Sequence, residues 1–239
     1  MEFVSFSDWD ELPESANALF AEGEKDSIFF SRAWFNNLVN TALEDDQTLL
    51  IACVIEGDRM LAILPIMKRS SEKWYSLRNI YTSLYSLLLA DNDKQAILTC
   101  LAQGLGQLPL ESLQLRPVAE DDKNINCLQR VMELNDFDCY RHFQFYNWIH
   151  RVQGKSFKNY MAARPSRLRN TIARKQRKLE REHGYSIRLF IDDDLQQALA
   201  DYNAIYTASW KANEIFGGFI QGLLASLSEQ GWLRLAILL

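Results

Sequence analysis

Arg164 to Arg181 reads R-P-S-R-L-R-N-T-I-A-R-K-Q-R-K-L-E-R. Eight of these residues are basic (Arg164, Arg167, Arg169, Arg174, Lys175, Arg177, Lys178 and Arg181) and one, Glu180, is acidic. The stretch carries +7 in a chain of net charge −5, which leaves −12 for the rest. A cationic concentration in an acidic protein is a local device, and such a device faces an anion. Pro165 and Ser166 suit a first helical turn, and Gly184 suits a helix end, so the spacing predicts a helix to about His183. On that helix Arg167, Arg174, Arg177, Lys178 and Arg181 form a broad polar face, and Leu168, Ile172 and Leu179 a thin apolar seam. Arg169 and Lys175 sit at the seam's edge. A solvated charged face is the competing reading. Against it, so many cations with few acids four residues away repel one another. Arginine's rigid fork also matches phosphate and carboxylate oxygens.

Working outward, Tyr185–Ile191 reads as a strand, and Asp192, Asp193 and Asp194 cap a helix from Leu195 to about Asn213, with acids at its positive end. Phe216–Gln230 is a further helix and Trp232–Leu239 an apolar strand. Upstream, Ser156–Ala163 is a short helix. The clearest feature of the first half is a β-hairpin, Leu49–Ile55 and Met60–Lys68, joined through Gly57 and Asp58. Pro65, lacking a donor, predicts an edge position or a bulge there. Asp10–Ala21 reads as a helix, and Ser31 caps another that carries Trp34, Phe35, Leu38, Val39 and Leu43. Trp74–Leu89 reads as strand, loop, strand. Helices at Asn92–Leu108 and Lys123–Asn135 flank a short strand, Ser112–Leu115, and Arg141–Val152 reads as an aromatic-rich strand. Two units follow: 1–152 and 153–239. Two strands and the helices beside them do not make a covered sheet of their own, so the second unit reads as incomplete and the chain as a fragment of a longer protein.

Composition excludes several classes. A chain of 239 residues with 48% hydrophobic and 24% charged residues builds an ordinary core without disulfides or metal. Cys53, Cys100, Cys127 and Cys139 form no C-x-x-C pair, and His142, His150 and His183 have no ligand spacing, so no metal site is expected. The N-terminus lacks the features of a signal peptide, and no run of about 18 apolar residues predicts a membrane span. A reducing cytoplasm is the expected compartment. The pI is about 5.3, and no nucleic-acid motif is present, so DNA is not an expected partner; RNA contact through the basic helix is a weaker alternative. A small or glycan-type anionic substrate fits better. The Tyr81–Tyr85 loop, with Tyr85, and Trp210 are further substrate-binding candidates beside Arg169, Arg174 and Lys175, although aromatics more often fill cores. Gln103-Gly104-Leu105-Gly106 superficially resembles a pyrophosphate-binding signature, but Leu108 stands at its last position and the stretch lies on a helix end, so it is set aside.

The runs F-K-N-Y-M from Phe157, S-R-L-R-N-T-I-A-R-K-Q-R-K-L-E from Ser166 and G-Y-S-I from Gly184 together resemble the GNAT-type acetyltransferases grouped with the CelD/BcsL proteins, relatives of the FemAB peptidyltransferases. The resemblance extends to Trp210, the Phe219–Leu227 helix, the Gly231–Leu238 strand and, upstream, Phe30-Ser31-x-x-Trp34 and the hairpin. It implies a mixed α/β fold of tandem GNAT-like (acyl-CoA N-acyltransferase) units. It also implies transfer of an acyl group from acyl-CoA, or an aminoacyl-tRNA, to an amine or hydroxyl of an envelope or polysaccharide-related substrate. Acyl-CoA is then the expected co-substrate, and Arg169, Arg174 and Lys175 hold an anionic substrate or the donor phosphates. No general base stands out; Tyr85, Tyr206 and Glu214 are candidates. A non-catalytic anion- or glycan-binding module of the same fold is the alternative.

Overall fold

The structure, a computed structural model, describes residues 1–69, 72–191, 194–210 and 215–239. Its architecture is mixed α/β. By packing, the chain divides into two units, Met1–Gln144 with Ala212–Ser226, and Phe145–Lys211 with Leu227–Leu239. The first thus includes a segment that lies well beyond the 152/153 boundary read from sequence.

The first unit is built on a six-stranded sheet. Strand β1 (Glu2–Phe6) leads to a 3-10 turn at Trp9–Glu11 and helix α1 (Ala16–Asp26). The single helix expected over Asp10–Ala21 is therefore displaced. Pro13 interrupts the turn, Asp8 and Glu11 close a capping box on the short piece, and α1 starts afresh at Ala16. Helix α2 (Arg32–Ala42) begins where Ser31 was expected to cap it: the Ser31 hydroxyl accepts from Trp34 N at 3.0 Å.

The hairpin forms the middle of the sheet. Strands β2 (Gln47–Glu56) and β3 (Arg59–Arg69) pair antiparallel, and Gly57 takes φ +57° in the turn. Alternate residues point to opposite faces, yet Ile51–Val54 and Leu61–Leu64 are all fully buried, so both faces of the sheet are covered. Pro65 is in the second central strand and not at an edge; the register shift falls at Val54/Ile55 instead. The reason is local. Strand β4 (Lys73–Ser76) pairs with Ile66–Arg69 of β3, and β5 (Leu88–Leu89) with Ala62–Ile63. Pro65 falls in the gap between these partners, and its carbonyl accepts from Leu77 N at 3.0 Å and from the Tyr85 hydroxyl at 2.5 Å. A residue without an N–H costs no ladder bond there.

Helix α3 (Lys94–Gly106), capped by Asp93, connects to β6 (Ser112–Gln114), which runs parallel to β4 at the sheet's end. The order is β1-β2-β3-β4-β6, with β5 on β3. Gly104 lies where a Cβ would overlap the Phe3 ring, so the glycine lets α3 approach β1. Helix α4 (Lys123–Glu133) packs through Leu128, Val131 and Met132.

Arg141–Val152 forms no strand. Its aromatics fall at 143, 145, 146 and 148, without strict alternation, so neither face is apolar throughout. Phe143, Phe145, Tyr146, Trp148, Ile149 and Val152 are all exposed. A ladder needs one buried face to fix its register, and this segment offers none.

The second unit contains α5 (Phe157–Ala162), α6 (Ser166–Glu182), β7 (Ile187–Phe190), α7 (Leu195–Ala208), the end of α8 (Phe219–Glu229) and β8 (Leu235–Leu238). Strands β7 and β8 pair antiparallel, and Ser186 and Leu239 exchange both backbone bonds at 2.9 Å. Phe190, Ala198 and Ile237 form its small core. Helix α7 ends at Ala208 with Ser209 as its extended C-cap, short of the expected end near Asn213; Asn213 itself, and Asp192 and Asp193 of the N-terminal cap, lie outside the described residues. Asp194 does cap it, accepting from Gln197 N at 3.4 Å. The opening of α8 belongs to the first unit. Phe219 is fully buried there between Trp34 (5.3 Å, edge-on) and Tyr81 (5.2 Å, stacked), and its carbonyl accepts from Asn37 Nδ2 at 3.0 Å.

Candidate functional site

Helix α6 forms over the residues predicted for it. Its N-cap is Pro165, which offers no side-chain acceptor, and its first turn holds no acid. The positive end of this 17-residue helix is therefore flanked by Arg164, Arg167 and Arg169 with no carboxylate paired to them among the described residues, an arrangement that favours an anion there. The C-terminal end is conventional: Gly184 takes φ +63°, its N–H bonds Glu180 O at 3.1 Å, and Gln176 Nε2 donates to the Tyr185 hydroxyl at 2.7 Å. Lys178 and Arg181 both turn to Glu182, at 3.5 and 2.9 Å. Arg167, Arg169, Arg174 and Lys175 have no ion-pair partner among the described residues, and all four are exposed.

The three α6 residues named from sequence do not share a face. At about 100° per residue, Arg174 lies some 140° round the helix from Arg169, and Lys175 a further 100° on. Arg174 joins Arg167, Arg177, Lys178 and Arg181 in one cationic face. Lys175 falls in line with Leu168, Ile172 and Leu179 and divides that seam, and Arg169 stands between the two faces. Leu168 and Ile172 remain 45% and 42% exposed, so the seam is not spent on the core.

Beside the start of α6 lies a feature that the sequence reading passed over. Tyr160, on α5, carries the Arg164 guanidinium over its ring at 4.6 Å, the His150 ring edge-on at 4.8 Å, and Phe157 at 6.4 Å in a near-parallel attitude. His150, Val152, Lys155, Phe157 and Tyr160 line an open cleft of about 240 Å³. Arg164 Nε is buried without a hydrogen-bond partner among the described residues. The available signal was the four-residue spacing of Tyr160, in a capped helix, and Arg164, two residues past its end; the contribution of His150, from an irregular segment, had none.

Residues 166–239 match the acetyltransferase (GNAT) domain family. The match opens at the first residue of α6 and takes in β7, α7, α8 and β8. It supports an acyltransferase as the enzyme class. No curated protein and no solved structure matches the chain significantly.

The aromatic candidates are placed very differently. Tyr85 is 1% exposed in the first unit; its hydroxyl is held by Pro65 O, and burial pushes its pKa well above the ordinary tyrosine value. It stands as a core tyrosine. Trp210, in the second unit, is 94% exposed just past the end of α7. Tyr206 stacks on Tyr202 at 5.9 Å, and the Tyr202 phenol is pushed up by burial and then by Tyr206. Glu214 lies outside the described residues. Among the described residues no group of three or more His, Cys, Asp or Glu side chains is placed to hold a metal ion, and no helix is long and apolar enough to cross a membrane.

Proposed function

We propose that this chain transfers an acyl group from acyl-CoA to an amine or hydroxyl, with the donor's anionic groups held at α6. The observation that carries the reading is the match of residues 166–239 to the GNAT domain family, opening on the helix whose Arg167, Arg169, Arg174 and Lys175 have no ion-pair partner among the described residues. GNAT acetyltransferases generally use acyl-CoA, a substrate with phosphates at one end and an adenine ring beside them. The residues present suit such a molecule. Arg167, Arg169 and the uncapped first turn of α6 offer charge and N–H donors to phosphate. The neighbouring cleft offers the ring faces of Phe157 and Tyr160, with Lys155 and Arg164 close by. Transfer then requires the acceptor nitrogen or oxygen to attack the thioester carbonyl, the C–S bond to break and the acceptor proton to leave. Orientation and stabilisation of the carbonyl oxygen supply most of the acceleration for such a step.

Within that class we favour a cell-envelope or polysaccharide-related acceptor, as in the CelD/BcsL and FemAB proteins that the α6 phrase resembles, and tandem GNAT-like units. Acetyl-CoA titration followed by melting temperature and by release of free thiol tests the proposal. Saturable stabilisation by acetyl-CoA that is lost in R167E/R169E supports it. Stabilisation by anionic glycans alone, with none by acyl-CoA, favours the binding-module alternative and refutes the enzyme.

A further inference from the structure

We propose that Arg78 and Arg116 form a binding site for a doubly charged oxyanion, a phosphate monoester, at the carboxyl ends of the parallel strands β4 and β6 in the first unit. The inference stands apart from the acyl-transfer reading of residues 166–239.

The topology brings the two arginines together. Strands β4 and β6 are in register with Tyr75 opposite Gln114, and neighbouring strands run about 4.8 Å apart. Arg78 lies two residues past the end of β4, and Arg116 two residues past the end of β6. Ser76 fixes them: its hydroxyl donates to Arg116 O at 2.6 Å and accepts from Arg116 N at 3.2 Å, so the Arg116 backbone is held against the last residue of β4. In open sheets with parallel strands, the carboxyl ends are where ligands gather.

The hydrogen-bond inventory then shows what is missing. Arg78 Nε and Arg116 Nε are both buried with no acceptor among the described residues. Asn79, 6% exposed, spends its Oδ1 on Tyr81 N (3.0 Å) and the Thr82 hydroxyl (3.3 Å), and leaves Nδ2 buried and unmatched. All three unmatched atoms are donors. Buried donors without partners are costly, and three around one strand end call for one acceptor-rich occupant. The charge agrees. Arg69 is turned to Glu44 at 3.6 Å, but neither Arg78 nor Arg116 faces a carboxylate among the described residues. Burial, then the Arg116 and Arg69 guanidiniums, lower the Arg78 pKa. Two guanidiniums that repel each other are matched by two negative charges. A carboxylate neutralises only one of them, whereas a phosphate monoester neutralises both and has oxygens enough for both forks.

The test is a titration of the protein with inorganic phosphate, glycerol 3-phosphate and acetate, followed by the arginine Nε–H resonances in NMR and by calorimetry. The expected result is a shift of two Nε–H signals, assigned to Arg78 and Arg116 by their loss in R78Q and R116Q. Phosphate affinity falls at least about tenfold in either variant and is partly kept in R78K. The same response persists in R174E/K175E, which separates this site from α6. Without ligand, R78Q and R116Q melt no lower than the parent, since each relieves a repulsion; a purely structural pair would melt lower. Unmoved Nε–H signals, unchanged phosphate affinity in both variants, or equal affinity for acetate would overturn the proposal.

Discussion

Replacing Tyr85 by phenylalanine separates a core tyrosine from a catalytic one. The ring is fully buried and phenylalanine fills nearly the same volume, so no cavity term arises. What is lost is one hydrogen bond, from the hydroxyl to Pro65 O. That carbonyl keeps its second partner, Leu77 N at 3.0 Å, so it is not orphaned, and the cost at pH 7 is about 1 kcal/mol. For a protein of this size that lowers Tm by about 2–4 °C. The pH dependence carries a second signature. The folded-state pKa of Tyr85 is raised, so its contribution is complete below the unfolded value of about 10 and is lost as pH climbs toward the folded value. Above pH ~10 the parent loses about 1.4 kcal/mol per pH unit on this account and the variant does not. The roughly 1 kcal/mol deficit of Tyr85→Phe should vanish near pH ~11 and then reverse. Other groups titrate alike in both proteins and cancel in the difference. Urea unfolding monitored by tryptophan fluorescence at pH 7, 10 and 11.5 reads it, alongside acetyl-CoA-dependent thiol release. A variant of unchanged stability that has lost transfer would refute the core assignment and return Tyr85 to the reaction.

Three further outcomes are expected. Burial pushes the Cys53 thiol up to about 12, so it should resist alkylation in the folded protein at pH 8 and react on unfolding; rapid native labelling at Cys53 would contradict its burial. Phe219→Ala should cost about 3–5 kcal/mol, because the ring fills a closed site between Trp34 and Tyr81; a loss below 1 kcal/mol in chemical unfolding would mean that the α8 segment does not seat there. Gly104→Leu should abolish soluble expression or lower Tm sharply, since even a Cβ there meets the Phe3 ring, whereas Gly106→Ala, with its nearest neighbour Phe137 at 3.6 Å, should leave Tm within a few degrees.

Local chemistry explains which parts of this fold could be read in advance. The Gly57-Asp58 turn, the Ser31 and Asp194 caps and the Gly184 stop each carry their own signal within a few residues, and each is observed. Pro65 misled because its tolerance depends on a gap between β4 and β5, partners far along the chain. Arg141–Val152 misled because aromatic content was taken for strand pattern. At the candidate site, the cations of α6 and the face shared by Arg167, Arg174, Arg177, Lys178 and Arg181 were plain in the sequence, because both follow from the helical repeat. The cleft beside Tyr160 depends on His150 meeting a helix seven residues later, and the Arg78–Arg116 pair on two strands becoming parallel neighbours. Neither has a short-range signature.

The seat of Phe219 has a consequence for synthesis of the protein on the ribosome. The core of the first unit is complete only when a residue roughly 75 positions beyond Gln144 has emerged. At typical elongation rates that is a wait of about 4–15 s, during which Trp34 and Tyr81 stay uncovered. A nascent chain arrested between 150 and 210 should therefore bind chaperones and resist folding, and emergence of Ser226 from the ribosome should mark the point at which the first unit becomes protease-resistant.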